Sequence, residues 1–247
     1  MIIKGAEPVS YTSDSKIGVL LVHGFTGNPV SLKPIADAFK KAKFNFELPL
    51  LPGHGTKWQN LNKVKYTDWI NTIEISLLEL SKHAKYIFIF GLSMGSVLSE
   101  YLAEHHNYIK GLILVNDALI LNDPRLFFIS ILRFFISSTK ASGEDIKKPG
   151  VSEKSYERDP TNGVYQLVKL QKLVKKNLKK IECPVLLFKS KTDHVTPIKS
   201  TLYVFDKISS KEKELIWLNN SYHVATLDYD KDIIIKKSIK FIKKICI

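Results

Sequence analysis

Tyr86-Ile87-Phe88-Ile89-Phe90-Gly91-Leu92-Ser93-Met94-Gly95-Ser96-Val97-Leu98 is the stretch on which the fold turns. Its first five residues are β-branched, aromatic or apolar, the composition of a short buried strand. Across residues 96–106, Val97, Leu98, Tyr101 and Leu102 recur at helical spacing among polar residues. Between the two lies Gly91-Leu92-Ser93-Met94-Gly95, which has the form Gly-x-Ser-x-Gly. A strand, a glycine-flanked turn and a helix are the setting in which this pentapeptide forms a nucleophile elbow. The glycines remove Cβ atoms where the backbone must reverse, so Ser93 can hold a strained conformation with its hydroxyl exposed. The helix start behind it presents unpaired N–H groups and partial positive charge to an oxyanion formed at the serine.

The alternation of strand and helix continues on both sides. Residues 17–22 read as a buried strand ending at His23-Gly24-Phe25-Thr26-Gly27, and residues 31–42 as a helix burying Leu32, Ile35, Ala36 and Phe39. Residues 44–48 form a second strand, followed by a loop, Leu51-Pro52-Gly53-His54-Gly55-Thr56. Thr67 is expected to cap a helix reaching about Ser81. Downstream, strands are predicted at 111–116, 185–189 and 214–218, with helices at 198–208 and 230–245. Short apolar strands alternating with helices specify an α/β fold, its mostly parallel central sheet covered by helices on both faces.

Residues 117–182 interrupt the pattern and are too long for a bare loop. They open with an apolar, aromatic run at 126–136, turn polar and rich in lysine and glycine over 137–153, and close with an amphipathic stretch at 164–181. This reads as a helical cap inserted into the sheet domain, giving core residues 1–117, cap residues 118–182 and core residues 183–247.

The chain has 247 residues, 45% hydrophobic and 25% charged, which suits one globular α/β domain with an insertion. The first eight residues lack the pattern of a secretory signal, and no apolar run is long enough to span a bilayer. Cys183 and Cys246 sit apart from any metal-like cluster, so free thiols and a cytoplasmic location are expected. The net charge of +13 is almost wholly lysine; Arg125, Arg133 and Arg158 are the arginines. Basic residues are not interleaved with aromatics in a nucleic-acid-binding motif, so nucleic acid is not an expected partner. A solvated lysine surface is the plain reading, and peripheral contact with anionic membranes or lipid aggregates the sharper one.

A serine activated as a nucleophile needs a base, and the base needs an orienting acid. Open α/β sheets deliver such groups at the C-terminal ends of their strands. Asp193, in Lys191-Thr192-Asp193-His194-Val195, follows one strand, and His223, in Asn220-Ser221-Tyr222-His223-Val224, follows another. Asp117 is the rival acid. His194, His105, His106 and His83 are weaker bases by position, while Asp228 and Asp230 read as caps of the last helix. An oxyanion hole requires two convergent backbone N–H groups. Met94, after the nucleophile, supplies one and Phe25, in the glycine-flanked loop, the other. His23 and His54 read as loop-forming residues. Glu153 and Tyr222 are candidates for hydrogen-bonding a substrate hydroxyl. The chemistry requires no metal and no organic cofactor.

These residues give the chain a resemblance to the α/β-hydrolase superfamily, specifically to its small bacterial carboxylesterases and monoacylglycerol lipases. It is carried by His-Gly-Phe-Thr-Gly (23–27), Leu-Pro-Gly-His-Gly-Thr (51–56), Gly-Leu-Ser-Met-Gly (91–95), Asp-His-Val (193–195) and Tyr-His-Val-Ala-Thr-Leu-Asp (222–228), spread over nearly the whole sequence. The order Ser, Asp, His is that of the superfamily. The resemblance implies Ser93, Asp193 and His223 as the triad, Phe25 and Met94 as the oxyanion hole, and a lid at 117–182. The 222–228 segment is more similar to the monoacylglycerol lipases than to the simpler esterases. Hydrolysis of monoacylglycerols and other short-to-medium acyl esters is therefore expected, with the aromatics of 126–136 walling an acyl pocket. A thioesterase, C–C hydrolase or acyltransferase using the same triad, and a non-catalytic lipid-binding relative, stand as alternatives.

Overall fold

A computed structural model describes residues 1–141 and 144–246. In chain order the first half contains β1 (Val9–Tyr11), β2 (Ile17–Val22), α1 (Lys33–Lys41), β3 (Asn45–Leu48), α2 (Trp58–Leu61), α3 (Tyr66–Ser81), β4 (Tyr86–Leu92), α4 (Met94–His105) and β5 (Ile109–Val115). There follow α5 (Ile129–Leu132), β6 (Ser138–Lys140), β7 (Arg158–Pro160), α6 (Thr161–Val174), β8 (Val185–Ser190), α7 (Ile198–Lys207), β9 (Lys213–Leu218) and α8 (Lys231–Ile245). Seven strands form one sheet in the order β1-β3-β2-β4-β5-β8-β9, parallel except for the antiparallel edge strand β1. The expected α/β-hydrolase architecture is the one observed.

Successive residues of the central strands enter two different cores. Leu20, Ile89, Leu112 and Leu187 face α3, α4, α6 and α7 together with Trp69, Ile73, Leu98, Leu170 and Val204. Val19, Leu21, Phe88, Phe90, Ile113 and Phe188 face α1 and α8, packing with Ile35, Phe39, Ile234 and Ile242. A strand buried on both sides has no polar face, which is why β4 and β5 read as unbroken apolar runs. Each such side chain contributes about 1.5–3 kcal/mol on burial.

Helix α4 crosses the end of β2 at backbone contact. A Cβ on Gly95 would lie 1.9 Å from the Val22 carbonyl oxygen, and one on Gly91 would lie 2.4 Å from the Gly95 oxygen. The elbow glycines are thus required by packing between main chains as well as by the turn.

The segment between β5 and β8 departs from a purely helical reading. Residues 126–136 do not form one helix. Pro124–Phe128 is a single 3-10 turn and α5 adds only one turn more. Phe127 is 84% exposed and Phe135 82%, so the run has no partner surface that would support a longer helix. Within 137–153, Ser142 and Gly143 lie outside the described residues. The two-stranded antiparallel ribbon β6–β7 was not expected, nor were β1 and α2, three and four residues long. Thr67 is not the cap of α3. Lys65 holds that position, its N–H donating to the Asp68 carboxylate at 2.8 Å. Among the described residues no helix is long and apolar enough to cross a membrane.

The loop after β2 is anchored by a buried histidine. His23 is wholly buried; its Nδ1 donates to the Gly24 carbonyl at 3.0 Å and its Nε2 accepts the Leu51 N–H at 3.1 Å. His54 packs edge-on against it and bonds the Pro52 carbonyl at 3.1 Å. Both fill the loop-forming role read from the sequence. Burial lowers His23 to about 4, and burial together with the neighbouring His23 holds His54 well below the ordinary range. The unfolded chain takes the His23 proton near pH 6.5 and the folded protein only near pH 4. In that window the unfolded state binds more protons, so stability falls as pH drops from about 6.5 to about 4, by on the order of 3 kcal/mol from this residue. Urea unfolding of the wild type and His23→Asn at neutral pH and near pH 4.5 is expected to show a shallower pH dependence in the variant; equal dependence in both would contradict it.

Candidate active site

The strands deliver their reactive groups to one edge of the sheet. Ser93, at the turn from β4 into α4, has φ 57° and ψ −117°. Its N–H donates to the Val115 carbonyl at 2.9 Å, and the Ser96 hydroxyl ties back to Gly91 O at 3.0 Å. This strained conformation is fixed by the strands on either side and aims Oγ away from the sheet. His223 Nε2 lies 2.9 Å from Ser93 Oγ, and its Nδ1 lies 3.0 and 3.1 Å from the two carboxylate oxygens of Asp193. With Asp193 ionised, Nδ1 carries the proton and Nε2 accepts from the serine hydroxyl. The structure thus brings together the three residues expected from the sequence.

The Asp193 carboxylate accepts the N–H groups of Val195 (2.9 Å) and Thr196 (2.8 Å), the Thr196 hydroxyl (2.8 Å) and the Lys189 ammonium (2.5 Å). Burial by itself would raise this carboxyl, but His223 and Lys189 outweigh it and hold Asp193 well below the usual carboxylate range. Asp117, the rival acid, lies elsewhere: it is buried and accepts from the Leu119 N–H and the Ser200 hydroxyl at 2.9 Å each. His194 is turned to Asp145 (2.7 Å), His106 to Glu74 (2.8 Å), and His83 and His105 are exposed. Asp230 does occupy the N-cap position of α8, but its carboxylate accepts the Asn220 N–H at 2.7 Å instead of capping. Asp228 does not cap either; it receives the N–H groups of Lys147, Lys148, Tyr222 and Tyr229.

Three supporting residues escaped the sequence reading. Asn116, just past β5 with φ 46°, donates to the His223 carbonyl (2.6 Å) and the Ser190 hydroxyl (3.0 Å) and accepts the Ser190 N–H (2.8 Å). It clamps the end of β8 to the histidine loop. Asp145 accepts the backbone N–H groups of His223 (3.0 Å) and His194 (3.1 Å), pinning the segment after β6 to the loops bearing His223 and Asp193. Lys189 is the third. Its charge at the end of the apolar run Val185-Leu186-Leu187-Phe188 was the available signal; nothing local in the sequence marks Asp145.

Phe25 and Met94 are the other residues expected at the site. Among the described residues neither backbone N–H has an acceptor, as befits Met94 at the first turn of α4. A Cβ on Gly24 would lie 3.2 Å from Ser93 Cβ, so the Phe25 loop approaches the nucleophile closely. Ser93 and His223 open onto a cavity of about 340 Å³ whose apolar wall includes Phe25, Leu121, Leu126, Val164, Leu167 and Val224. Asp123, Arg125, Asp145, Glu153 and Asp159 make the rest of its lining markedly acidic. Glu153 is buried, which raises its carboxyl to about 7 despite the nearby His223.

Two expectations need correction. Of the apolar run 126–136 only Leu126 reaches this cavity; Phe127, Phe128, Ile131, Phe134 and Phe135 point to solvent. Tyr222 is not part of the lining. Its ring packs edge-on against His194 at 4.7 Å, and its carbonyl is taken by the Ser190 hydroxyl at 2.8 Å. No group of three or more His, Cys, Asp or Glu among the described residues is arranged to hold a metal ion.

Comparison with known proteins agrees with this geometry. The family described as serine aminopeptidase, S33, matches residues 13–230. A thermostable monoacylglycerol lipase of Bacillus sp. (strain H-257) is 42% identical over 247 residues, covering 98% of this chain and 96% of that protein. A carboxylesterase of Bacillus subtilis (strain 168) is 25% identical over 241 residues, 97% of each. A solved structure from work on the metagenome-derived lipolytic enzymes LipS and LipT superimposes with a TM-score of 0.95 at 35% identity, covering 99% of this chain and all (100%) of that one. The chain belongs to the serine aminopeptidase S33 family of α/β-hydrolases, and within it stands with the lipases and esterases.

Proposed function

We propose that the protein hydrolyses neutral carboxylic esters, monoacylglycerols foremost, with Ser93 as nucleophile, His223 as general base and Asp193 as the acid that orients it. The observation that carries this reading is the unbroken chain Ser93 Oγ, His223 Nε2, His223 Nδ1, Asp193 opening onto a partly apolar cavity. His223 takes the Ser93 proton as Oγ attacks the ester carbonyl, and the Phe25 and Met94 amides receive the oxyanion. The imidazolium returns the proton to the leaving alcohol, and water then cleaves the acyl-enzyme by the same route.

Residues 118–182 serve as a cap over a core made of 1–117 and 183–247. The acyl chain lies against Phe25, Leu121, Leu126, Val164 and Leu167, and a cavity of about 340 Å³ suits short-to-medium chains. Glu153, beside His223 and held near neutrality, is placed to bond a glycerol hydroxyl. Asp123, Asp145 and Asp159 outnumber Arg125 in the lining and repel the phosphates of an acyl-CoA, so the neutral ester is preferred over the thioester. The outward aromatics Phe127, Phe128, Phe134 and Phe135, with Arg133 over the Phe134 ring, make the cap a surface for anionic lipid aggregates. The free thiols Cys183 and Cys246 fit a cytoplasmic setting.

Ser93→Ala is expected to lower kcat/KM at least ~10⁴-fold and to abolish labelling by a serine-reactive phosphonate. On the wild type, a series of 1-monoacylglycerols compared with acyl-CoA thioesters should give higher kcat/KM for the glycerides; a preference for acyl-CoA overturns the substrate reading. Glu153→Ala should reduce the ratio of kcat/KM for a monoacylglycerol to that for the matching nitrophenyl ester by up to about tenfold, the upper end of the worth of one hydrogen bond. In sedimentation with vesicles, Phe134→Ser/Phe135→Ser should bind anionic bilayers more weakly than the wild type does. Equal sedimentation of the two proteins would reject the lipid-surface role.

A further inference from the structure

Lys189 is the one lysine among the described residues whose side chain is buried. It sits in β8 directly after four apolar residues and is 0% exposed. An ammonium in such a place is costly unless its protons are all taken. Here they are: Asp193 Oδ2 accepts at 2.5 Å, the Thr196 carbonyl at 2.8 Å and the Thr196 hydroxyl at 3.0 Å. His223 Nδ1 meets the same carboxylate at 3.0 Å, so a continuous chain runs Lys189, Asp193, His223, Ser93. An apolar side chain would complete β8 at less cost, so the retained charge is spent on Asp193.

We propose that Lys189 is a positioning residue of this site: its buried ammonium fixes the Asp193 carboxylate toward His223 and offsets part of its charge, so that His223 stays an unprotonated base to lower pH than an Asp–His pair alone would allow. The proposal rests on the assignment of Ser93, Asp193 and His223 as the catalytic triad. The other charged groups around the chain act in the opposite sense. Glu153 lines the same cavity as His223 and feels both it and Glu144, and Asp117 and Asp145 act on Lys189 from just past β5 and from the segment after β6. Each of these carboxylates favours a protonated His223, and Lys189 is the cation in contact with Asp193 that opposes them. When His223 takes a proton, two cations share one carboxylate, and that repulsion is lost when Lys189 is neutralised.

The test is the pH profile of kcat/KM on a short nitrophenyl ester for the wild type, Lys189→Met, Lys189→Gln and Lys189→Arg. The acid limb should move up by ~1 pH unit in the Met and Gln variants and return toward the wild-type position in the Arg variant, which keeps the charge. Lys189→Gln retains a donor for Asp193 and Thr196 and is the variant to read where Lys189→Met does not fold. An acid limb unmoved in a folded neutral variant, with only the melting temperature lowered, makes Lys189 purely structural and overturns the proposal. Ser93→Ala is carried in parallel. If it retained wild-type activity, the triad assignment would fail, an outcome distinct from an unmoved acid limb in enzymes whose activity depends on Ser93.

Discussion

A carboxylate buried beside a histidine can stay ionised only where enough donors converge on it, and Asp193 receives five: two backbone N–H groups, a hydroxyl, an ammonium and an imidazole N–H. Four come from residues 189–196, so most of the site's electrostatics is built within one strand end and its turn. The fifth comes from a loop following β9, which must be held at hydrogen-bond distance from a different strand. Asn116 does this, its amide reaching both Ser190 and the His223 carbonyl. The acid and the base are therefore fixed to each other through β5, the strand that also receives the Ser93 N–H at Val115.

That arrangement is costly in backbone conformation. Thr26, Ser93 and Asn116 all hold positive φ without being glycine, at 59°, 57° and 46°. They fall after β2, β4 and β5, three adjacent strands of the sheet. Each costs on the order of 1–3 kcal/mol, and such strain survives only where the surroundings over-determine it. The surroundings here are two apolar cores, one on each sheet face, which set the strand ends and leave these residues no alternative. Sheet packing and catalytic geometry are the same constraint seen from two ends.

This explains what the sequence made legible. The elbow, Asp193 and His223 follow from local patterns: an apolar strand, then a turn with a reactive residue, repeated along the chain. Phe25 and Met94 follow from the same logic applied to backbone N–H groups. Asn116 and Lys189 were visible as polar residues at strand ends, yet their partners lie on other strands and only the topology reveals them. Asp145 has no local signature at all. The aromatic run 126–136 misled for a physical reason. Apolar composition states that a side chain gains by leaving water, but not whether this chain's own core or some other surface receives it.

The segment between β5 and β8 resolves that question by dividing in two. Its second part is tied down by buried polar groups. Asp145 takes two N–H groups from the loops bearing the acid and base, Asp228 takes those of Lys147 and Lys148, and Asn28 bonds the carbonyls of Glu153 and Lys154 at 3.0 and 3.1 Å. The wall carrying Glu153 is thereby anchored to the loops that bear the acid and the base. The first part has the reverse character over 126–136, with its aromatics in solvent and only Leu126 of that run on the cavity. Each exposed phenylalanine there retains about 1.5–3 kcal/mol that folding has not used. The same segment thus lines the cavity through Leu121 and Leu126 while turning its phenylalanines away from it, so composition alone could not tell the two faces apart.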